Sequence, residues 1–492
     1  MIPLSEEEAG RALDLGRLDA PVVGVSIDSR SVRPGDLFVA LRGERFDGHD
    51  FVEAAFESGA AGAVVEKTSW SGSSSGRSVY VVDDTLAALG DLARAVRKKS
   101  RATVFAITGS VGKTGTKDAL AAMAARSCRT VATAANQNNE VGVPLTLLSI
   151  EPDTEAVVVE MGMRGPGQIA SLVRVVEPDV GVITNIHPVH LELLGTLEHV
   201  AQAKAELVQG LTPAGSAVVP AECNILQPYL AELCCRVVYF GVGSDIRNAQ
   251  VQGWLLRAKS GMACEVVLCW PEGEVRVETP AMPGYRAENI VAAAGACYAA
   301  GLPMEECAEG LTGLRFGRGR GEVLSLPGIC IVDDTYNANP VAVRAALDGL
   351  LRLAAERRGR PVAVLGDMLE LGGDSEQYHR EIGRYAAEIG VEELWGVGER
   401  ARATVEGYRE QAARSGTRGR DQRAGHVPSS LEDSSLVAGL RPGDVILFKA
   451  SRSMRLEEMV DRVVALAGAG AWATGIEASE MGETEPEETG RC

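Results

Sequence analysis

From residue 102 onward the chain repeats one pattern: a short apolar run, a turn that often carries glycine, then a stretch with helical spacing. The runs ATVFAITG (102–109), VVVEMGM (157–163) and DVGVITNI (179–186) follow it. So do GICIVDDTY (328–336), RPVAVLGDM (360–368), ELWGVG (393–398) and DVILFKAS (444–451), with helical stretches such as PVAVRAALDGLLRLAAERR (340–358) between them. Strands that each lead into a helix must cross over before they pair, which predicts α/β architecture with largely parallel sheets.

Two interruptions divide this pattern. Before residue 84 the apolar runs are shorter (DLFVAL at 36–41, AGAVVE at 61–66) and a loop, WSGSSSGRS, lies at 70–78. Between 236 and 280 the chain is rich in β-type segments, followed by the small-residue helical stretch ENIVAAAGACYAAG and a glycine- and arginine-rich linker at 315–321. The 492 residues exceed one hydrophobic core. Three domains are expected: an α/β substrate domain at 1–84, a P-loop ATPase-like parallel-sheet domain at 100–314, and a Rossmann-like domain at 315–474. The acidic, apolar-poor segment 475–492 is expected to be disordered.

Composition narrows the function classes. With 49 basic and 67 acidic residues the net charge is −18, which disfavours general attraction to nucleic acid or anionic lipid, so any phosphate ligand needs local donors. The ten cysteines show no metal-type spacing, which predicts reduced thiols. The N-terminus lacks the basic start of a secretory signal, and no apolar run approaches the ~20 residues of a membrane span. A cytoplasmic monomer with no membrane insertion is expected.

The strongest local signal is Gly109-Ser110-Val111-Gly112-Lys113-Thr114, at the point where an apolar strand gives way to a helix. Glycines let backbone N–H groups approach an anion, the helix N-terminus favours negative charge, Lys113 reaches outer phosphates, and the Thr114 hydroxyl is a Mg²⁺ ligand candidate. The strict phosphate-loop pattern has glycine where this chain has Ile107; a glycine turn with a chance Gly-Lys-Thr is the bland alternative. Phosphoryl transfer also needs metal ligands. Glu160 ends one predicted strand, a position shared by ligands and by solvated caps, and His187 and His190 follow the next strand. Lys204 lies in a helical stretch where a lysine is ordinarily solvated. Asp333 and Asp334 end a further strand, where carboxylates bind ribose or metal or cap a turn.

In this order the segments resemble the Mur ligases across almost the whole chain. The resemblance rests on Asp28-Ser29-Arg30 with PGDLFVALRGERFDGHDF (34–51), on ITGSVGKT, NQNNEVGVPLTLL (136–148), VVVEMGM, TNIHPVHLELLG (184–195) and AQAKAEL (201–207), and on DDTYNANP (333–340), VLGDMLELG and LFKASR. It implies an ATP- and Mg²⁺-dependent ligase. The YNANP segment is similar to that of the members adding D-alanyl-D-alanine to UDP-N-acetylmuramoyl-tripeptide through an acyl phosphate.

The resemblance further implies Thr114, Glu160, His190 and a carbamylated Lys204 as metal ligands, with Lys113, Glu160, His190 and Lys204 catalytic. ATP contacts are implied at residues 109–114, Asn289, Arg320 (or Arg318 in another register) and Asp334. Substrate contacts are implied at Ser29, Arg30, Asp47, Gly48, His49, Asn138, Asn139, Tyr336, Asn337 and Asn339. The family's histidine is missing from Pro283-Gly284-Tyr285-Arg286, His187 stands for a glycine, and so does Ala450. Rival readings are a folylpolyglutamate- or cyanophycin-type ligase and a regulatory P-loop NTPase; the DSR segment and YNANP oppose the first, and the lack of an NKxD motif opposes a GTPase.

Overall fold

The computed structural model describes residues 1–43, 45–70, 76–189, 194–257, 263–280, 282–415, 422–428 and 439–468. His190 and the acidic tail 475–492 lie outside the described residues. The chain forms two compact units, Met1–Pro280 with Arg286–Arg315, and Ala281–Tyr285 with Phe316–Cys492.

The first unit holds two sheets. Strands β1 (Val25–Ser26), β2 (Leu37–Val39), β3 (Gly62–Glu66) and β4 (Val79–Val82) pair in that order, all parallel. The helix Thr85–Lys99 follows, started by Asp84, whose carboxylate accepts from Leu86 N at 2.8 Å and Ala87 N at 3.0 Å. Arg97, Lys98 and Lys99 crowd its last turn, where cations complement the helix dipole. Its apolar face (Leu89, Leu92, Val96) joins one core with Val64 of the first sheet and Val104 and Val157 of the second.

That second sheet comprises β5 (Thr103–Thr108), β6 (Thr130–Ala132), β7 (Ala156–Glu160), β8 (Val180–Ile183), β9 (Ser216–Pro220), β10 (Arg236–Val242), β11 (Val251–Arg257), β12 (Ala263–Trp270) and β13 (Gly273–Pro280). Their spatial order is β13-β12-β11-β10-β9-β8-β5-β7-β6. Pairing is parallel from β6 to β11; β12 and β13 close the edge as an antiparallel meander. From β5 the chain runs first to one side (β6, β7) and then to the other (β8, β9). The carboxyl end of β5 is therefore a topological switch point, where open parallel sheets bind ligands. β5, β7 and β8 are buried almost throughout, as strands covered on both faces must be.

In the second unit β14 (Glu322–Leu326), β15 (Ile329–Asp333), β16 (Arg360–Gly366), β17 (Glu393–Val397), β18 (Arg423–Val427) and β19 (Asp444–Lys449) lie in the order β14-β15-β19-β16-β17-β18, parallel apart from β14. Alternate residues separate two cores. Cys330, Val332, Ala363 and Leu365 meet helices Pro340–Arg357, Ser375–Ile389 and Ala401–Ser415, whereas Ile329, Ile331, Val362 and Val364 meet helix Glu457–Gly468. This is a doubly wound sheet. Arg360 ties the amino ends of three strands together, donating twice to Asp444 at 2.8 Å and once to Glu393 at 2.6 Å.

Candidate active site

In the first unit the geometry begins with β5. Ile107, which departs from the strict phosphate-loop pattern, is fully buried in the strand, so its apolar side chain serves the sheet and leaves the turn to the glycines behind it. Gly109 (φ 150°) and Gly112 (φ 83°) adopt backbone conformations that side chains resist. A Cβ at Gly109 would collide with Thr184 Oγ1, and one at Gly112 with Asn289 Oδ1. Gly112 then caps the helix Lys113–Ala124, whose first amides and dipole face the turn.

Residues 184–187, beyond β8, hold the loop from behind. Ser110 N donates to Asn185 O (3.1 Å) and Val111 N to Asn185 Oδ1 (3.0 Å). Thr184 Oγ1 donates to Val111 O (2.6 Å). Ser110 Oγ donates to His187 O (2.9 Å) and accepts from His187 N (2.8 Å). Two loop amides are thereby engaged inside the protein, and the helix that starts at Gly112 turns its N-terminal end to the loop. The His187 ring is half-buried, and burial pushes its pKa down.

Two lysines converge on this loop. Lys113 Nζ donates to Gly109 O at 2.9 Å, and Lys204 Nζ, from helix Leu197–Gln209, donates to the same oxygen at 3.0 Å. Lys204 is only 2% exposed. Burial, with the positive charge of Lys113 adding to it, holds its pKa well below the usual lysine range. A lysine on a helix is ordinarily solvated; tertiary packing decides otherwise here.

Glu160 ends β7 beside β5, its backbone paired with Ile107. Asn138 Nδ2 donates to Glu160 Oε1 at 2.7 Å, and Glu160 N donates to Thr133 Oγ1 at 3.0 Å. The other carboxylate oxygen, Oε2, is buried without a hydrogen-bond partner among the described residues. A buried, bare carboxylate oxygen is costly unless a cation meets it. With the buried Thr114 hydroxyl in the first turn of the helix after the loop, this oxygen suits a hard divalent cation.

The remaining expected residues separate into groups. Asn289 is buried against Gly112 and Gly115, over the first turn of the phosphate-loop helix. Asn139 caps the turn into helix Gly142–Leu148, its Oδ1 accepting from Gly142 N at 3.0 Å. In the first sheet, exposed Arg30 makes a two-point pair with Asp28 (2.9 and 2.7 Å), which holds the Asp28 carboxyl down to about 2, and Ser29 lies between them in the chain. Asp47 caps the turn Gly48–Phe51. His49 is clamped at both ring nitrogens, Nδ1 to Asp47 Oδ1 at 2.5 Å and Nε2 accepting from Glu66 N at 2.8 Å. That ring bolts the turn to β3.

The second unit brings its own residues together at the carboxyl ends of β15 and β19. Asp334 Oδ2 accepts from Lys449 Nζ at 2.6 Å and Tyr285 Oη at 3.2 Å. Lys449 also donates to Asn337 O at 2.9 Å. Arg320 stacks on the Tyr336 ring, its guanidinium carbon 3.5 Å from the ring centre, while Arg318 pairs with Asp461. Asn339 caps helix Pro340–Arg357 by accepting from Ala342 N at 2.9 Å. Asp333 turns inward to the Thr335 hydroxyl (2.7 Å), and burial pushes its carboxyl pKa up.

Sequence reasoning missed Asn185, Glu288, Tyr285 and Lys449. Asn185 and Lys449 lie in segments already singled out, TNIHP and LFKASR, but only the folded chain shows what they hold.

Three comparisons bear on this geometry. The Mur ligase middle domain matches residues 107–297, the Mur ligase glutamate ligase domain 319–452, and the Mur ligase family catalytic domain 21–97. The UDP-N-acetylmuramoyl-tripeptide--D-alanyl-D-alanine ligase of Bacillus subtilis is 35% identical, over 90% of this chain and 93% of its own length. Among solved structures, MurF from Acinetobacter baumannii is similar with a TM-score of 0.81 at 28% identity, covering 94% of this chain and 99% of that one. MurF ligase from Thermotoga maritima, solved in complex with ADP, is similar with a TM-score of 0.78 at 27% identity, covering 91% and 98%.

Proposed function

The chain belongs to the Mur ligase family, and on that premise we propose that it joins D-alanyl-D-alanine to UDP-N-acetylmuramoyl-tripeptide, using ATP. The curated relatives carry that activity in their names, and YNANP at 336–340 is the segment that favours it over other ligases of similar fold. The observation that carries the nucleotide reading is the glycine loop at the β5 switch point with Lys113 at the start of its helix.

A free carboxylate is a poor electrophile. The peptide carboxylate oxygen attacks the outermost phosphorus of ATP and ADP leaves. The dipeptide amine then attacks the acyl carbon, forming the amide, expelling phosphate and releasing a proton. Such transfers depend on positioning and on offsetting charge. The amides from Gly112 onward and the Lys113 ammonium act on the phosphates; Asn289, Arg320 and Asp334 are the further nucleotide contacts in this reading.

Magnesium, when bound, would supply charge neutralisation and Lewis acidity. Thr114, Glu160 through its bare Oε2, and Lys204 are the described residues that would hold it, with His190 a fourth ligand from the family resemblance. Lys204 fits that set only as a carbamate. Burial lowers the basicity of its amine, and the unprotonated amine adds to CO₂ with loss of a proton, which replaces an amine by an anionic oxygen donor. Ser29, Arg30, Asp47 and Gly48 are assigned to the UDP-sugar end, with His49 shaping their turn, and Asn138 and Asn139 to the peptide. Tyr336, Asn337 and Asn339 are assigned to the dipeptide.

The nine described cysteines are all free, and among the described residues no helix is long and apolar enough to cross a membrane. A cytoplasmic location, where ATP and UDP-linked precursors are made, is part of the proposal.

Incubating the protein with ATP, D-alanyl-D-alanine and UDP-tripeptides bearing either diaminopimelate or lysine, then weighing the products, tests the reading. One pentapeptide product with equimolar ADP is expected. Lys113→Ala should slow ADP formation by at least ~100-fold; a native rate would remove the loop from the mechanism.

A further inference from the structure

We propose that Asn185 is the positioning residue of the phosphate loop, with Glu288 setting the direction in which its amide points. The proposal rests on the reading of this loop as the ATP site.

A phosphate loop works through the directions of a few N–H groups, so whatever fixes its peptide planes fixes its affinity. Here two consecutive N–H groups end on one residue: Ser110 N on Asn185 O (3.1 Å) and Val111 N on Asn185 Oδ1 (3.0 Å). With Thr184 Oγ1 donating to Val111 O, the peptide planes on both sides of Val111 are held by residues 184 and 185. Gly112, in its left-handed conformation, comes next and starts the helix. The bonds to Asn185 thus set the approach of the amides that remain for phosphate.

A primary amide can be reversed, and the reversed Asn185 would present an NH₂ to the Val111 N–H, donor against donor. An ionised carboxylate only accepts. Glu288 Oε1 lies 3.4 Å from Asn185 Nδ2, which leaves Oδ1 facing the loop. An acid beside a site for polyanions otherwise opposes binding, so its place here calls for such a task. Burial raises the Glu288 pKa and the Asn185 bond opposes that rise.

The logic can be inverted by mutation. Asn185→Asp keeps an oxygen toward Val111 N but sets two carboxylates against each other; adding Glu288→Gln turns the partner into a donor and restores the chain of bonds. ATP affinity by equilibrium titration, with the ATP KM and kcat, is the measurement. Asn185→Ala and Asn185→Asp are expected to weaken ATP binding about 10-fold and raise its KM with a smaller change in kcat, while Asn185→Asp/Glu288→Gln returns to within about 3-fold of the wild type. Glu288→Gln alone should cost about 3-fold. Thermal midpoints without nucleotide accompany each variant; if Asn185→Ala does not fold, the comparison of Asn185→Asp with the double variant decides. Wild-type affinity in Asn185→Ala, or a double variant as weak as Asn185→Asp, overturns the proposal. A wild-type protein that binds no ATP overturns the nucleotide reading itself, a distinct result.

Discussion

Lys113 and Lys204 donate to the same carbonyl oxygen, that of Gly109, at 2.9 and 3.0 Å. Two ammonium groups cannot share one acceptor in a buried place without strong repulsion. Burial and the neighbouring Lys113 charge both lower the Lys204 pKa, which makes the more buried of the two the easier to deprotonate.

Lys204→Met should therefore separate stability from function. In the lysine protein the unfolded state binds a proton that the folded state does not, between the depressed folded pKa and the usual value near 10.5. Its stability then rises with pH through that window, and the burial cost is largest below it. Lys204→Met is expected to be more stable than the wild type, by about 1–3 kcal/mol near neutral pH with a shrinking margin toward pH 10, while ligase activity is lost. Parallel melting curves across pH check this. A labelled carbamate carbon, seen by NMR after ¹³C-bicarbonate and absent in Lys204→Met, checks the carbamate.

Glu160→Gln removes charge from an oxygen that has no hydrogen-bond partner among the described residues. The metal-free variant should be at least as stable as the wild type, because a buried amide is less costly than a bare carboxylate. Its Mn²⁺ affinity with ADP bound, followed by electron paramagnetic resonance, should fall at least ~10-fold. Unchanged affinity would take Glu160 out of the metal site.

The Asp334–Lys449 pair is almost fully buried, with side chains 10% and 4% exposed. Asp334→Asn leaves the Lys449 ammonium uncompensated, and the expected loss is about 3–5 kcal/mol, read by denaturant unfolding. Lys449→Met, which removes the other charge, should recover part of it in the double variant.

Tyr336 was assigned to the dipeptide, yet its ring also carries Arg320. Tyr336→Leu should raise the ATP KM about 3- to 10-fold by loosening that guanidinium, and Tyr336→Phe should leave it near the wild-type value. If Tyr336→Phe instead raises only the dipeptide KM, the hydroxyl rather than the ring is what the reaction uses.

The α/β class, strands β5, β7 and β8 of one sheet and β15, β16, β17 and β19 of the other, and the phosphate loop were legible because each is written locally. Apolar runs of strand length, turns after them and helical spacing all lie within ~15 residues of one another. Strands such as β14 and β18 were not, since a half-exposed edge strand leaves a weak pattern.

What the sequence determined by itself is therefore the alternation of strand and helix, the glycines that permit the loop between Gly109 and Gly112, and the family to which the ordered motifs belong. Only the tertiary structure decided that Lys204 is buried beside Lys113, that Glu160 keeps one oxygen bare, that His49 bolts its turn to β3, and that Asn185 grips the loop. Each of these depends on groups 17 to 95 residues apart or on the packing around them. A side chain's solvent and its partners are properties of the packed chain, and no local spacing encodes them.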